Sequence, residues 1–152
     1  IIAGFGGQGV LLIGQLIAKA AMRQGYEVSW MPSYGPEMRG GEANCAVVVS
    51  DEPIGSPLVS EPPVLVAMNK PSLIKFMPMM PAGGTLLYST CTVRKEENED
   101  VARTFLLAHP EFSPEPFAVP AGLDLKNEGY ATLLPQKHAA DGFFICKLRR
   151  HA

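Results

Sequence analysis

The first 31 residues, IIAGFGGQGVLLIGQLIAKAAMRQGYEVSWM, decide the fold of this chain. Residues 1–3 are the end of an apolar strand, residues 4–9 are a glycine-rich turn, and residues 10–24 have the composition of a helix. Residues 26–31 are apolar and aromatic enough for a second strand. A strand, a helix and a strand in this order predict a crossover between parallel strands. The sequence therefore predicts an α/β fold with three layers, a mainly parallel sheet and a glycine-rich first turn.

The glycine-rich turn is the first candidate site. Glycines at positions 4, 6 and 9 match G-x-G-x-x-G between a strand and a helix, where backbone N–H groups bind phosphate. Dinucleotide sites of this kind carry an acid at the end of the second strand, but residues 29–31 are Ser, Trp and Met. We therefore do not expect NAD or NADP. The turn is a candidate coenzyme or phosphate site made of Gly4, Gly6, Gly7, Gln8 and Gly9. The alternative is that its glycines only permit a tight turn and close helix packing.

The remaining elements follow from apolar runs and breakers. The predicted strands are residues 45–50, 64–68, 85–89 and 143–148, and the predicted helices after the first are residues 71–77 and 95–109. Residues 111–142 are rich in Pro and Gly and predict no regular element. The first helix has only a narrow polar stripe of Gln15, Lys19 and Arg23, so we expect it to be packed on most sides. The second half of the chain either extends the sheet or packs loosely.

Composition limits the possible functions. Hydrophobic residues at 47% and charged residues at 18% are typical of a globular chain, and no apolar run is long enough to span a membrane. A net charge of −2 gives no general attraction to nucleic acid, so any RNA binding would be local, and we expect no DNA partner. Cys45, Cys91 and Cys146 are widely spaced and odd in number, which predicts no metal site and a reducing, cytoplasmic location. Because the chain begins without Met, we interpret it as a fragment or a trimmed chain.

Residues 32–44, PSYGPEMRGGEAN, are a second candidate site. We predict a loop here, because the stretch is too rich in Gly and Pro for a regular element. A long loop is more often functional than not, and its glycines permit close backbone approach. Its candidate interface or ligand contacts are Ser33, Tyr34, Gly35, Glu37, Arg39 and Gly40. The alternative is a solvated loop in which Glu37 and Arg39 pair with each other.

Three motifs, GFGGQGV, PSYGPEMRGGEANCAVVVSDEPIGSP and VLVAMNKPSL, resemble the gamma subunit of 2-oxoacid:ferredoxin oxidoreductases over residues 1–81. The resemblance implies a complex that decarboxylates pyruvate, 2-oxoisovalerate or 2-oxoglutarate, reduces ferredoxin and forms an acyl-CoA. It implies alpha, beta and delta-type partner subunits, which would hold thiamine diphosphate and iron–sulfur clusters, with coenzyme A as a substrate. Three scattered cysteines cannot hold a four-iron cluster. This chain would then hold no cofactor alone and would not be active by itself.

From residue 84 onward the resemblance changes. The stretches GGTLLYSTCTVRKEENEDVARTFLLAHPEF and LLPQKHAADGFFICKLRR resemble the C-terminal part of bacterial ribosomal RNA cytosine-5 methyltransferases. In that family the cysteine of a Thr-Cys pair, matched here by Thr90 and Cys91, attacks cytosine, and S-adenosylmethionine donates the methyl group. The family's methyl-donor and Pro-Cys motifs lie upstream of this pair. In this chain that space holds the gamma-like segment.

The chain therefore resembles a hybrid of residues 1–81 and residues 82–152, joined near residues 81–88. The first functional hypothesis is a gamma-type subunit fragment of a 2-oxoacid:ferredoxin oxidoreductase. The second is a fragment of a ribosomal RNA methyltransferase with Cys91 as its nucleophile. The third is a hybrid with neither activity. The sequence does not indicate which 2-oxoacid the complex would use.

Overall fold

The computed structural model describes residues 1–37, 40–120, 123, 125 and 128–152. The strands are β1 Ile2–Phe5, β2 Glu27–Tyr34, β3 Glu42–Ser50, β4 Val64–Ala67, β5 Thr85–Thr90, β6 Phe112–Pro114, β7 Tyr130–Leu133 and β8 Phe143–Arg150. The helices are α1 Val10–Arg23, α2 Lys70–Phe76, α3 Glu99–Ala108 and α4 Pro135–His138, with a 3₁₀ turn at Met77–Met79. Across these described residues, no helix combines the length and apolarity needed to cross a bilayer.

The strands form one mixed sheet in the order β2-β3-β1-β4-β5-β8-β6, with β7 also paired to β8. Ladders β1–β4 and β4–β5 are parallel. Strand β3 runs antiparallel to β1 and β2, and β8 runs antiparallel to β5, β6 and β7. The α/β class is confirmed, and every described strand except β3 and β8 runs in one direction. The ladders are nevertheless mostly antiparallel, because β3 returns between β1 and β2 and β8 pairs with β5, β6 and β7, which the sequence did not predict.

Two stretches that we predicted to be irregular contain strands. The predicted loop at residues 32–44 is wrong at both ends, since β2 continues through Ser33 to Tyr34 and β3 begins at Glu42. The pairing of Tyr34 with Ala43 carries the β2–β3 ladder to this end. Pro32 is tolerated because β2 is an edge strand, where a missing N–H breaks no ladder on the open side. Residues 111–142 likewise contain β6, β7 and α4.

Helices cover both faces of the sheet, so the three-layer prediction is confirmed. Side chains alternate between the faces of a strand. In β4, Leu65 and Ala67 belong to a core cluster with residues of α2 and α3, whereas Val66 packs against the cluster that contains Val10 of α1. Helix α1 therefore lies on one face, and α2 and α3 lie on the other.

The second half extends the same sheet. Strand β5 pairs with β4 from Val64↔Thr85 to Ala67↔Tyr88, and the larger core cluster contains residues from both halves. Helix α1, in contrast, is less enclosed than we predicted. Its buried residues are Val10, Gly14 and Ala18, and apolar side chains on its outer side face solvent.

Candidate functional site

The glycine-rich turn and the β2–β3 connection together line one open cleft of about 500 Å³. We call it the glycine cleft. Its lining combines five residues that the sequence analysis singled out, Gly6, Gly7, Gly9, Tyr34 and Glu37, with the apolar side chains of Phe5, Val10, Leu11, Leu12 and Ala43. Two stretches predicted as separate candidate sites therefore form a single concave surface.

The backbone of the turn depends on glycine at two positions. Gly7 has φ 95° and Gly9 has φ 79°, both in the left-handed region that a side chain disfavours. Gly9 is also the N-cap of α1, where no side chain caps the helix and no acidic residue lies in the first turn. The first N–H groups of α1 therefore have no intrahelical partner, and they lie beside the glycine cleft.

Gln8 and Gly4 have structural roles in the turn and lie outside the glycine cleft. The Gln8 Oε1 accepts hydrogen bonds from the Phe5 N–H at 2.6 Å and from Asn69 Nδ2 at 3.0 Å, and its Nε2 donates to the Met68 carbonyl at 3.0 Å. These bonds tie the turn to the end of β4. A Cβ on Gly4 would approach Gln8 Oε1 to 2.7 Å and Val10 Cγ2 to 2.8 Å, so this glycine serves close packing.

The β2–β3 connection closes one side of the glycine cleft. The Gly6 N–H donates to the Gly41 carbonyl at 2.9 Å, and the Gly40 N–H donates to the Gly6 carbonyl at 3.4 Å. Tyr34 is 67% exposed, and a Cβ added at Gly35 would meet no atom within 4 Å. Arg39, another predicted contact, lies outside the described residues, and so does its alternative pairing with Glu37.

Glu37, a predicted contact of the second candidate site, is an acidic residue that follows the observed end of the second strand. It follows the end of β2 at Tyr34 and lines the glycine cleft. The sequence predicted that β2 ends at residue 31. An acid at the end of this strand was therefore expected at residues 29–31, which is too early in the chain. The pairing of Tyr34 with Ala43 shows that β2 extends to residue 34, beyond its predicted end. Strand β2 does not neighbour β1, because β3 lies between them, so Glu37 is not placed as the acid of a dinucleotide site is.

Cys91 is exposed directly after β5 and lies at a second cleft of about 350 Å³. We call it the seam cleft, because both halves line it. The first half contributes Gln8, Met68, Asn69 and Lys70 among others, and the second contributes Tyr88, Thr90, Cys91, Thr92, Glu96 and Glu97 among others. This cleft lies at the carboxyl ends of β1, β4 and β5.

A buried amide holds the chain beside Cys91. Asn98 is fully buried, its Nδ2 donates to the Thr92 carbonyl at 2.9 Å, and its Oδ1 accepts a hydrogen bond from Thr90 Oγ1. The Tyr88 hydroxyl donates to the Glu97 carbonyl at 2.7 Å. These bonds fix the turn between β5 and α3 and so hold the backbone beside Cys91 in place.

The other two cysteines are in the core. Cys45 and Cys146 are fully buried and belong to different core clusters. Burial raises the pKa of the Cys146 thiol to about 12 and also raises the pKa of Cys45. Within the described ranges, no group of three or more His, Cys, Asp or Glu residues is placed to hold a metal ion. Two core thiols and one surface thiol do not fit an iron–sulfur cluster.

Comparison with known proteins identifies two sources of similarity. The family model for pyruvate ferredoxin/flavodoxin oxidoreductase matches residues 1–129. The ketoisovalerate oxidoreductase subunit VorA of Methanothermobacter marburgensis is 54% identical over 99 residues, which are 64% of this chain and 21% of VorA. The probable ribosomal RNA small subunit methyltransferase B of Bacillus subtilis is 37% identical over 83 residues, which are 51% of this chain and 18% of that protein.

A solved structure agrees with the first similarity. Pyruvate oxidoreductase subunit PORC of Thermotoga maritima superposes with a TM-score of 0.52 and 27% identity, over 67% of this chain and 52% of that one. The chain thus spans about half of this structure and about a fifth of VorA. The predicted resemblance to both protein families is confirmed. By the family model, which covers most of its length, the chain belongs to the pyruvate ferredoxin/flavodoxin oxidoreductase family.

Proposed function

We propose that this chain acts as a gamma-type part of a 2-oxoacid:ferredoxin oxidoreductase, supporting oxidative decarboxylation of a 2-oxoacid to an acyl-CoA. The observation that carries the proposal is the family match over residues 1–129, which includes both stretches that form the glycine cleft. Thiamine diphosphate and iron–sulfur clusters belong to alpha, beta and delta-type partners, and ferredoxin accepts the electrons. The chain supplies a binding surface in this complex, which we place in the cytoplasm.

The glycine cleft is the surface that we assign to this role. Its walls are apolar at Phe5, Leu11 and Tyr34, and Glu37 adds one carboxylate. An apolar concave surface with few polar groups is typical of a ligand or partner site. The first turn of α1 offers N–H groups that favour a phosphate. These features support contact with a partner subunit or with coenzyme A.

The test is complex formation. We expect that Tyr34→Ala reduces co-purification of this chain with alpha and beta-type subunits by about tenfold, because a 67% exposed ring at the cleft is an anchor for a partner. The matched control is Leu107→Ala, which removes an 82% exposed side chain on α3, on the opposite face of the sheet. Equal recovery of Tyr34→Ala and the wild type would remove the cleft from the interface. No recovery of the wild type would contradict the proposed function itself.

The second candidate function is methyl transfer, and the observation that favours it is the exposed Cys91 at the seam cleft. Two polar side chains of its lining are already engaged within the fold and so are not available to S-adenosylmethionine. The first segment contributes Gln8 and Asn69, whose side chains hold the turn and cap α2 through the Ser72 N–H at 2.8 Å. These side chains therefore serve the fold rather than a methyl donor.

We expect Cys91 to react with a small alkylating reagent and yet to form no adduct with RNA. Iodoacetamide at about pH 8 should label one thiol per native chain, because Cys45 and Cys146 are buried with raised pKa values. Cys91→Ser should abolish labelling, and denaturation should expose the remaining thiols. Incubation with S-adenosylmethionine and RNA containing 5-azacytidine should trap no covalent complex. A trapped complex that Cys91→Ser abolishes would instead establish the second function.

A further inference from the structure

The outer face of α1 is unusual in having an apolar half and a basic half. Leu12 and Leu16 are 59% and 58% exposed, one helical turn apart near the N-terminal end. Lys19 and Arg23 follow on the same side and are exposed. Helix α1 contains no acidic residue, and among the described residues neither cation enters an ion pair. We call these four residues the α1 face.

The carboxylate that complements this face lies beside its apolar end. Leu12 and Glu37 both line the glycine cleft, next to the N-terminus of α1. The surface therefore runs from an acid, through two exposed leucines, to two cations. Such an arrangement is complementary to itself when one copy is reversed against another, because each acidic end then meets a basic end.

We propose that two copies of this chain pair through the α1 face, with their α1 helices antiparallel about a two-fold axis. Leu12 of each copy then lies opposite Leu16 of the other, and the four leucines form an apolar centre. Seven residues separate Leu16 from Arg23, a rise of about 10 Å. This reach carries Arg23 past Leu12 of the other copy to its glycine cleft, which Glu37 lines.

A second copy matches this surface better than a partner whose contact patch carries charge of one sign. A partner with an acidic patch would pair with Lys19 and Arg23 and would be repelled by Glu37, and a basic partner would have the opposite conflict. An apolar centre with a charged rim is also the usual anatomy of an interface, and two-fold pairing is the commonest symmetry. The inference does not depend on the proposed function. It does imply that the second copy and a partner subunit compete for the cleft mouth.

The test is the dissociation constant of the dimer, measured by sedimentation velocity over a concentration series. We expect Leu16→Ser to prevent dimerisation. Arg23→Glu and Glu37→Lys should each raise the dissociation constant about tenfold, because symmetry breaks two ion pairs at once and adds repulsion. The double variant Arg23→Glu with Glu37→Lys exchanges the charges and should restore the wild-type constant within about threefold. Added salt should weaken the wild-type dimer.

The control is Leu107→Ser, which removes a more exposed leucine from α3 on the other face and should leave the dimer unchanged. Circular dichroism verifies that each variant is folded, as expected for exposed positions. A wild-type chain that stays monomeric up to about 1 mM would overturn the proposal. So would a double variant that dimerises no better than its single variants. A wild type that stays monomeric and uses Leu16 only to bind alpha or beta-type subunits would assign the face to those partners instead.

Discussion

Replacing Phe144 with alanine is expected to destabilise the chain by about 4 kcal/mol and to unfold both halves together. Phe144 is fully buried in β8, with ring centroids 6.4 Å from both Tyr88 and Tyr130. The same cluster contains Leu65 and Leu73 from the first half. A cavity at Phe144 therefore weakens a core that both halves share, although the residue lies in the methyltransferase-like part.

The measurement uses two probes of denaturant-induced unfolding. Trp30 is the only tryptophan in the chain, so its fluorescence reports the first half, while circular dichroism reports the whole. If the chain unfolds in two states, the two transitions coincide and Phe144→Ala moves both midpoints equally. Leu107→Ala, at an 82% exposed position, should change stability by less than about 0.5 kcal/mol. A Trp30 transition that stays in place in Phe144→Ala would show that the halves fold independently.

The segment in which we predicted a junction, residues 81–88, leads into a strand of the common sheet. Strand β5 continues the parallel direction of β1 and β4. The Thr85 N–H donates to the Pro63 carbonyl at 2.8 Å, which fixes the register at the start of β5. Parallel βα units share one geometry. A strand from one protein family can therefore pair with the edge strand of a sheet from another. This is a physical reason why a hybrid sequence forms one sheet.

Strand positions were predicted well, because buried strands are continuous apolar runs that one sequence displays locally. Residues 45–50, 64–68, 85–89 and 143–148 all overlap observed strands. Strand order was not predicted, because it depends on pairing between distant residues. Nothing local in residues 42–50 indicates that β3 enters between β1 and β2. The helix predicted from residue 95 begins at Glu99 instead, since Asn98 is buried to hold the preceding turn.

The residues of the candidate site were predicted from the sequence, but the contacts that bring them together were not. Glycines 6, 7 and 9 were identified from the turn motif, and Tyr34 and Glu37 from the predicted loop. The structure brings them to one cleft. Their proximity follows from hydrogen bonds between Gly6 and residues 40–41, which no sequence period reveals. Gln8 was predicted as a ligand contact from its place in the motif. Its side chain bonds to Asn69 and Met68, which follow β4 far along the chain.

Gly14→Ala is expected to destabilise the chain by about 2 kcal/mol, even though alanine is the better helix former by about 1 kcal/mol. Gly14 lies on the buried side of α1. A Cβ at this position would be 2.4 Å from Cys45 Sγ and 2.9 Å from Trp30 Nε1. Helix propensity therefore predicts that Gly14→Ala raises the free energy of unfolding, and packing predicts that it lowers it. The measured sign of this change decides which effect controls the position of α1.

A double-mutant cycle with Cys45→Ala isolates the contact. Removing Sγ from Cys45 makes room for the new methyl group, so the double variant should lose clearly less stability than the sum of the two single variants. Gly35→Ala is the control, because a Cβ there meets nothing within 4 Å. If Gly14→Ala stabilises the chain, or if its effect simply adds to that of Cys45→Ala, the packing argument is wrong. If instead the two effects couple, close approach of α1 to β3 holds the N-terminus of α1, and with it the glycine cleft, against the sheet.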